Sequence, residues 1–127
     1  SDFKTAVVPN GADIVYAIVG GDYSEPALRA IAWEGRFLVI GFPAGIAKMP
    51  LNLTLLKSCD IRGVFWGAFT AREPERNQRN IEELFDLWKA GKINPLVSET
   101  YPIERAHEAI AKLENRGAIG KLVVTME

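Results

Sequence analysis

Three short runs of branched and apolar residues, each closed by glycine, set the strongest limit on what this chain can become. The first, Ala12-Asp13-Ile14-Val15-Tyr16-Ala17-Ile18-Val19, stops at Gly20-Gly21. The second, Arg36-Phe37-Leu38-Val39-Ile40, ends at Gly41-Phe42-Pro43, and the third, Asp60 to Trp66, ends at Gly67. Continuous apolarity, in place of strict alternation, marks a strand covered on both faces, the pattern of a parallel sheet. Between the first two runs, Ser24 offers an N-cap to a helix whose first turn holds Glu25 and Pro26. Ala27, Leu28, Ile31 and Ala32 follow at helical spacing, and Gly35 supplies a left-handed stop. Between the second and third runs, Pro50 leads into Leu51, Leu53, Leu55 and Leu56, a second short helix. Each connection is long enough to cross over between parallel strands. The first half therefore reads strand, helix, strand, helix, strand, which is half of a doubly wound parallel α/β sheet.

The second half changes character. Pro74 opens a helix with Ile81, Leu84, Phe85 and Trp88 on one face and Arg76, Arg79, Glu82, Glu83 and Asp86 on the other, ended by Gly91. Ile93 to Ser98 reads as a short extended segment, and Pro95 places it at an edge or outside any ladder. Pro102, Ile103, Ala106, Ile110 and Leu113 mark another amphipathic helix, closed by Arg116-Gly117, and Gly120 to Thr125 forms a terminal strand. Without a linker or repeat, the 127 residues read as a single domain spanning residues 1–127.

Composition excludes several partners. Fifteen Lys and Arg against sixteen Asp and Glu leave a net charge of −1, so no basic excess exists to neutralise a phosphate backbone and nucleic acid is not an expected partner. Apolar runs such as Ile14 to Gly21 are far too short to cross a bilayer. The single cysteine, Cys59, has no internal disulfide partner, which suits a reducing, cytoplasmic setting. One cysteine and one histidine, His107, are too few for a Cys/His zinc site, and no metal is expected.

In open α/β sheets, ligands sit beyond the carboxyl ends of the strands. Here those ends are Val19-Gly20-Gly21, Gly41-Phe42-Pro43 and Phe65-Trp66-Gly67, where glycine allows close backbone approach and free amide donors. Ordinary turn chemistry explains any one of these glycines, whereas three together point to a shared ligand edge. Phe65 and Trp66 read either as core aromatics or as ring-contacting groups at that edge. Tyr16 reads as core and Cys59 as buried packing. His107 reads as a solvated helix residue, and Arg72, Glu73, Glu75 and Arg76 as an exposed helix start. No Gly-x-Gly-x-x-Gly stands between a strand and a helix, no phosphate-binding P-loop occurs, and no Gly-x-Ser-x-Gly elbow is present.

The ordered set Gly11-Ala12-Asp13-Ile14-Val15-Tyr16, Val19-Gly20-Gly21-Asp22, Gly35 to Phe42, Gly63-Val64-Phe65-Trp66-Gly67 and Gly117 to Val124 resembles the zinc-free quinone oxidoreductases of the medium-chain dehydrogenase/reductase superfamily. The resemblance runs from about Phe3 to the last residues. It implies the last three strands of a Rossmann-type sheet with C-terminal helices and a terminal strand that returns to a substrate domain. It also implies NADPH as cofactor, without metal, and hydride transfer to a quinone or an activated carbon–carbon double bond. By the same resemblance, Val19 and Gly20 would line the nicotinamide ribose and Gly41 and Phe42 would flank the cofactor. Phe65, Trp66 and Gly67 would meet the nicotinamide, and Lys121 would assist at the C-terminal edge. None of these is a proton-transfer residue; the protein positions cofactor and acceptor. The glycine-rich phosphate loop would lie upstream, so a chain of this extent is expected to be inactive alone. Its unpaired strand edges would favour a homo-oligomer. Two alternatives stay open: a stand-alone α/β protein-interaction module, and part of an enoyl reductase or alcohol dehydrogenase.

Overall fold

A computed structural model of the chain describes residues 3–6 and 9–126. The chain divides into two compact units, residues 1–72 and 73–127.

The first unit opens with helix α1 (Phe3–Ala6), followed by β1 (Ala12–Ala17), a 3-10 turn at Gly21–Tyr23, α2 (Ser24–Arg29), β2 (Ile31–Val39), α3 (Asn52–Lys57), β3 (Asp60–Gly63) and α4 (Trp66–Arg72). The three strands form one parallel sheet in the order β1-β2-β3. Helices α2 and α3 pack on one face of it. Leu28 from α2, Ile31 and Phe37 from β2, Leu53 from α3 and Cys59 form the core, with Val15, Ala17, Val39 and Met49 packed against it. Cys59 is thus a packing residue, as its sequence context indicates.

Several boundaries differ from the sequence expectation, each for a visible reason. Helix α2 stops at Arg29, and Ile31 and Ala32 belong to β2. Leu28 and Ile31 imitate one helical face because both are fully buried, yet they reach the same core from two different elements. The left-handed residue is Glu34 at φ 57°, not Gly35. It sits in a large bulge where two steps along β1, from Ala12 to Ile14, match five along β2, from Ile31 to Arg36. Tyr23, not Ser24, occupies the N-cap of α2, and no side chain caps it; Ser24 is the helix's first residue and is buried. The first strand ends at Ala17, although the Ile40 amide still donates to the Ala17 carbonyl at 3.0 Å. Tyr16 is not core: with Ile14 and Ile18 it is exposed, while Val15 and Ala17 between them turn to the core. The third strand ends at Gly63, and Trp66 opens a helix that the sequence reading missed.

The second unit holds α5 (Pro74–Lys89), β4 (Val97–Pro102), a 3-10 turn at Ile103–Arg105, α6 (Ala106–Glu114) and β5 (Lys121–Thr125). Pro74 at the first turn and Gly91 at φ 69° bound α5 as its sequence predicts. The expected extended segment lies later than Ile93–Ser98, and Pro102 ends that strand instead of opening a helix. β4 and β5 pair in parallel, with α6 as the crossover, and Tyr101 and Ala109 are its buried residues. No helix among the described residues is long and apolar enough to cross a membrane.

Candidate functional site

The carboxyl ends of the three parallel strands gather seven of the eight residues singled out from the sequence. Beyond β1, Val19 is exposed and Gly20 is buried at φ 73°. Beyond β2, Gly41 leaves room for a Cβ, which would meet the Ile18 carbonyl oxygen at 3.5 Å, an ordinary contact. The ends of β1 and β2 are tied together: the Ala44 amide donates to the Val19 carbonyl at 2.9 Å, and the Gly21 amide donates to the Gly45 carbonyl at 2.7 Å. Beyond β3, the Val64 amide donates to the Val39 carbonyl at 2.9 Å, carrying the ladder one residue past the strand. Phe65 then leads directly into α4, where the Phe69 amide donates to the Phe65 carbonyl at 3.0 Å and the Thr70 hydroxyl donates to the Gly67 carbonyl at 2.8 Å. Gly67 lies in the first turn of α4, with the Phe65 ring about where a Cβ would touch it, at 3.4 Å.

The three aromatic side chains of this edge stand in the open: Phe42 is 55% exposed, Phe65 77% and Trp66 66%. As to the two readings of Phe65 and Trp66, neither side chain packs into the core of the first unit. Sequence could not decide this, because an aromatic just past a strand or at a helix start serves equally well in a core or at an open edge. The eighth residue, Lys121, belongs to the second unit. It opens β5, where it pairs with Val97 and its amide donates to the Leu96 carbonyl at 2.7 Å.

Two cavities flank the loop after β2. An apolar one of about 160 Å³ lies under it, lined by Gly20, Ser24, Phe37, Phe42, Met49 and Ile61 among others. A wider cleft of about 770 Å³ on the α2 side is edged by Asp22, Glu25, Arg29 and Lys48. Glu25 and Arg29 pair there at 2.6 Å, so the edge of this cleft carries a solvent-exposed ion pair. The loop residues Ala44 to Lys48, which shape both cavities, carry no periodicity and gave no sequence signal. The groups with shifted ionisation belong to the second unit. There the Lys112 ammonium and the Tyr101 hydroxyl hold the Glu99 carboxylate below the usual range, and the Arg105 guanidinium does the same for Glu108.

The whole of this frame has known relatives. A family model described as zinc-binding dehydrogenase matches residues 1–124. The chain belongs to the zinc-binding dehydrogenase family. Within it the chain is similar to a quinone oxidoreductase-like protein 2 of Bos taurus, at 32% identity over 92% of this chain and 34% of the relative. It is also similar to the solved structure of a mycobacterial protein complexed with NADPH, at 26% identity and a TM-score of 0.74, covering 91% of this chain and 35% of that one. A quinone oxidoreductase from Pseudomonas syringae shares the fold, with a TM-score of 0.76 over 98% of this chain and 40% of that one, at 23% identity. These relatives agree with the resemblance to quinone oxidoreductases read from the sequence. The chain spans about a third of the length of the curated relatives it matches. The zinc in the family's description finds no donor set here: the described residues contain no group of three or more His, Cys, Asp or Glu able to hold a metal ion. Cys59 is buried in the first unit's core and His107 is exposed on α6 in the other unit.

Proposed function

We propose that this chain is the carboxyl-terminal portion of the dinucleotide-binding domain of a cytoplasmic, NADPH-dependent quinone-type oxidoreductase, together with the tail that returns to its substrate domain. One observation carries the reading: Phe42, Phe65 and Trp66 stand exposed at the carboxyl ends of adjacent parallel strands, where an open α/β sheet receives its ligand. Buried aromatics would speak for packing; exposed ones at this edge suit a planar ring. The quinone oxidoreductase-like and NADPH-bound relatives support the same chemistry.

In this reading the nicotinamide, when bound, supplies a hydride to a quinone or an activated double bond. The chain's own part is to hold and orient. Val19 and Gly20 shape the ribose side, and Gly41 and Phe42 flank the cofactor. Phe65, Trp66 and Gly67 meet the nicotinamide, with backbone groups of the loop holding its carboxamide. Lys121 serves from the start of β5. No residue in this set transfers a proton, and the described residues offer no donor set for metal chemistry. With no Gly-x-Gly-x-x-Gly in the sequence, the 127 residues lack a diphosphate cradle and do not turn over alone.

The test is turnover by the longest form of the protein found in its source cells. NADPH and NADH are each offered with benzoquinone or with an enoyl thioester, and nicotinamide oxidation is followed by absorbance. Oxidation of NADPH by the quinone is expected, and Phe42→Ala and Trp66→Ala should each lower kcat/KM by about three- to tenfold through a raised KM. Turnover of the enoyl thioester alone would move the protein to the enoyl reductases. No oxidation with either acceptor would overturn the proposal and leave a non-catalytic α/β module.

A further inference from the structure

The glycines at the end of β1 face protein, not open space. A Cβ on Gly20 would stand 2.6 Å from the Phe42 Cβ, 2.7 Å from its Cα and 2.7 Å from the Gly45 carbonyl oxygen. On Gly21 it would stand 2.6 Å from the Ala44 carbonyl oxygen. Gly20 has φ 73° and ψ −152°, a region that is essentially closed to other residues, and Gly21 has φ 55°. Around these contacts runs a set of backbone hydrogen bonds. The Ala44 amide donates to Val19 at 2.9 Å, the Gly21 amide to Gly45 at 2.7 Å, and the Gly45 amide closes the turn on the Phe42 carbonyl at 2.8 Å. The side-chain space of both glycines is thus filled by the Phe42–Gly45 turn, by its backbone and the Phe42 Cβ. Gly41 differs, since its added Cβ meets nothing closer than 3.5 Å.

We propose that Gly20 and Gly21 are positioning residues that seat the Phe42–Gly45 turn on the end of β1 and so fix the Phe42 ring at the carboxyl edge of the sheet. Gly20 shapes that edge through Phe42. A side chain at position 20 would have to displace the Cα of Phe42 and a carbonyl, neither of which is a flexible tip that yields cheaply. The seating stands on the contacts alone. That the seated ring meets a nicotinamide or a flat acceptor rests on the function proposed above.

Amide hydrogen exchange and fluorine NMR test the two parts separately, the seating on the 127-residue chain. In the wild type the Gly21, Ala44 and Gly45 amides should exchange at least about tenfold slower than in free peptides. Free-peptide rates at Gly21 and Ala44 overturn the seating whatever any variant does. Gly20→Ala should bring those amides to free-peptide rates and shift the resonance of a 4-fluorophenylalanine at position 42, while the Phe37 and Leu38 amides stay protected. Gly41→Ala should leave both readouts at wild-type values. If Gly20→Ala fails to fold, Gly21→Ala serves in its place and should release the Ala44 amide. Retained protection and an unmoved Phe42 signal in the variant that folds overturn the proposal. Saturation with NADPH of the longest form of the protein found in its source cells, labelled at the same position, then reads the ligand part alone: a shift at the Phe42 label supports it. No shift removes Phe42 from the ligand site and leaves the seating to the exchange rates.

Discussion

The Lys57 ammonium reaches from α3 to the last turn of α2, donating to the Arg29 carbonyl at 2.7 Å and to the Ile31 carbonyl. The final carbonyls of a helix have no partner within it, and a cation there also meets the negative end of the helix dipole. Lys57→Met keeps the apolar stem and removes both bonds, so it should lower stability by about 1–2 kcal/mol, read as a fall in the urea midpoint. An unchanged midpoint would mean that water replaces the ammonium at no cost. Nothing in the local sequence marks Lys57, because its acceptors lie 28 and 26 residues away. The same limit applied at the candidate site. The glycines closing the strands were legible as unusual positions, since glycine at a strand end signals a special backbone or a close approach. Which of the two held at Gly20 depended on where Phe42 and Gly45 came to rest, and no spacing rule encodes that.

At the scale of elements, the parallel strands and both crossovers of the first unit were legible, because buried strands and short helices write different periods. The errors fell where a chain segment leaves one element for the next. Ile31 and Ala32 continue the helical spacing of Ala27 and Leu28, yet Ile31 is β-branched and fills the core better from β2, at the cost of a bulge with Glu34 in the left-handed region. A left-handed non-glycine residue costs roughly 1–2 kcal/mol, and glycine gives back roughly 0.5–1 kcal/mol of that in chain entropy. Glu34→Gly should therefore raise stability by about 0.5–1 kcal/mol in urea titration, and a fall would show that the Glu34 side chain holds the bulge.

The second unit joins β4 to α6 through charge: Lys112 donates to Glu99, and the Tyr101 hydroxyl donates to the same carboxylate at 2.6 Å. The Lys112 bond first, and the Tyr101 bond second, hold Glu99 below its ordinary range, while Glu99 holds Lys112 above its own. A carboxylate with a depressed folded pKa contributes its full stabilisation above the unfolded value, about 4.3 for glutamate, and loses it as pH falls through the lower folded value. A lysine with a raised value contributes fully below its unfolded pKa, about 10.4, and loses that as pH rises through the folded one. The urea midpoint should thus fall below about pH 4 and again at strongly alkaline pH, and Glu99→Gln should flatten the acid limb. An acid limb as steep in the variant as in the wild type would place the sensitivity in other carboxylates.

For the chain as a whole, the apolar face left open on the first sheet matters most. Continuous apolarity in β1 was read as cover on both faces, and it was right about the sequence's demand but not about what meets it: α2 and α3 cover Val15 and Ala17, while Ile14, Tyr16 and Ile18 stay exposed. β1 and β3 are also the two edges of the sheet, each with one row of backbone groups unpaired within it. Exposed apolar side chains beside an unpaired edge favour association with another surface of the same kind. The chain should therefore sediment as a monomer only when dilute and shift to dimers or larger species as concentration rises. Burying one large side chain is worth about 1.5–3 kcal/mol, so Tyr16→Lys should weaken that association by about ten- to a hundredfold. Association that ignores Tyr16→Lys would place the contact on the β3 edge. A clean monomer at high concentration would show that the open face is tolerated in water, and the case for a covering partner would fall with it.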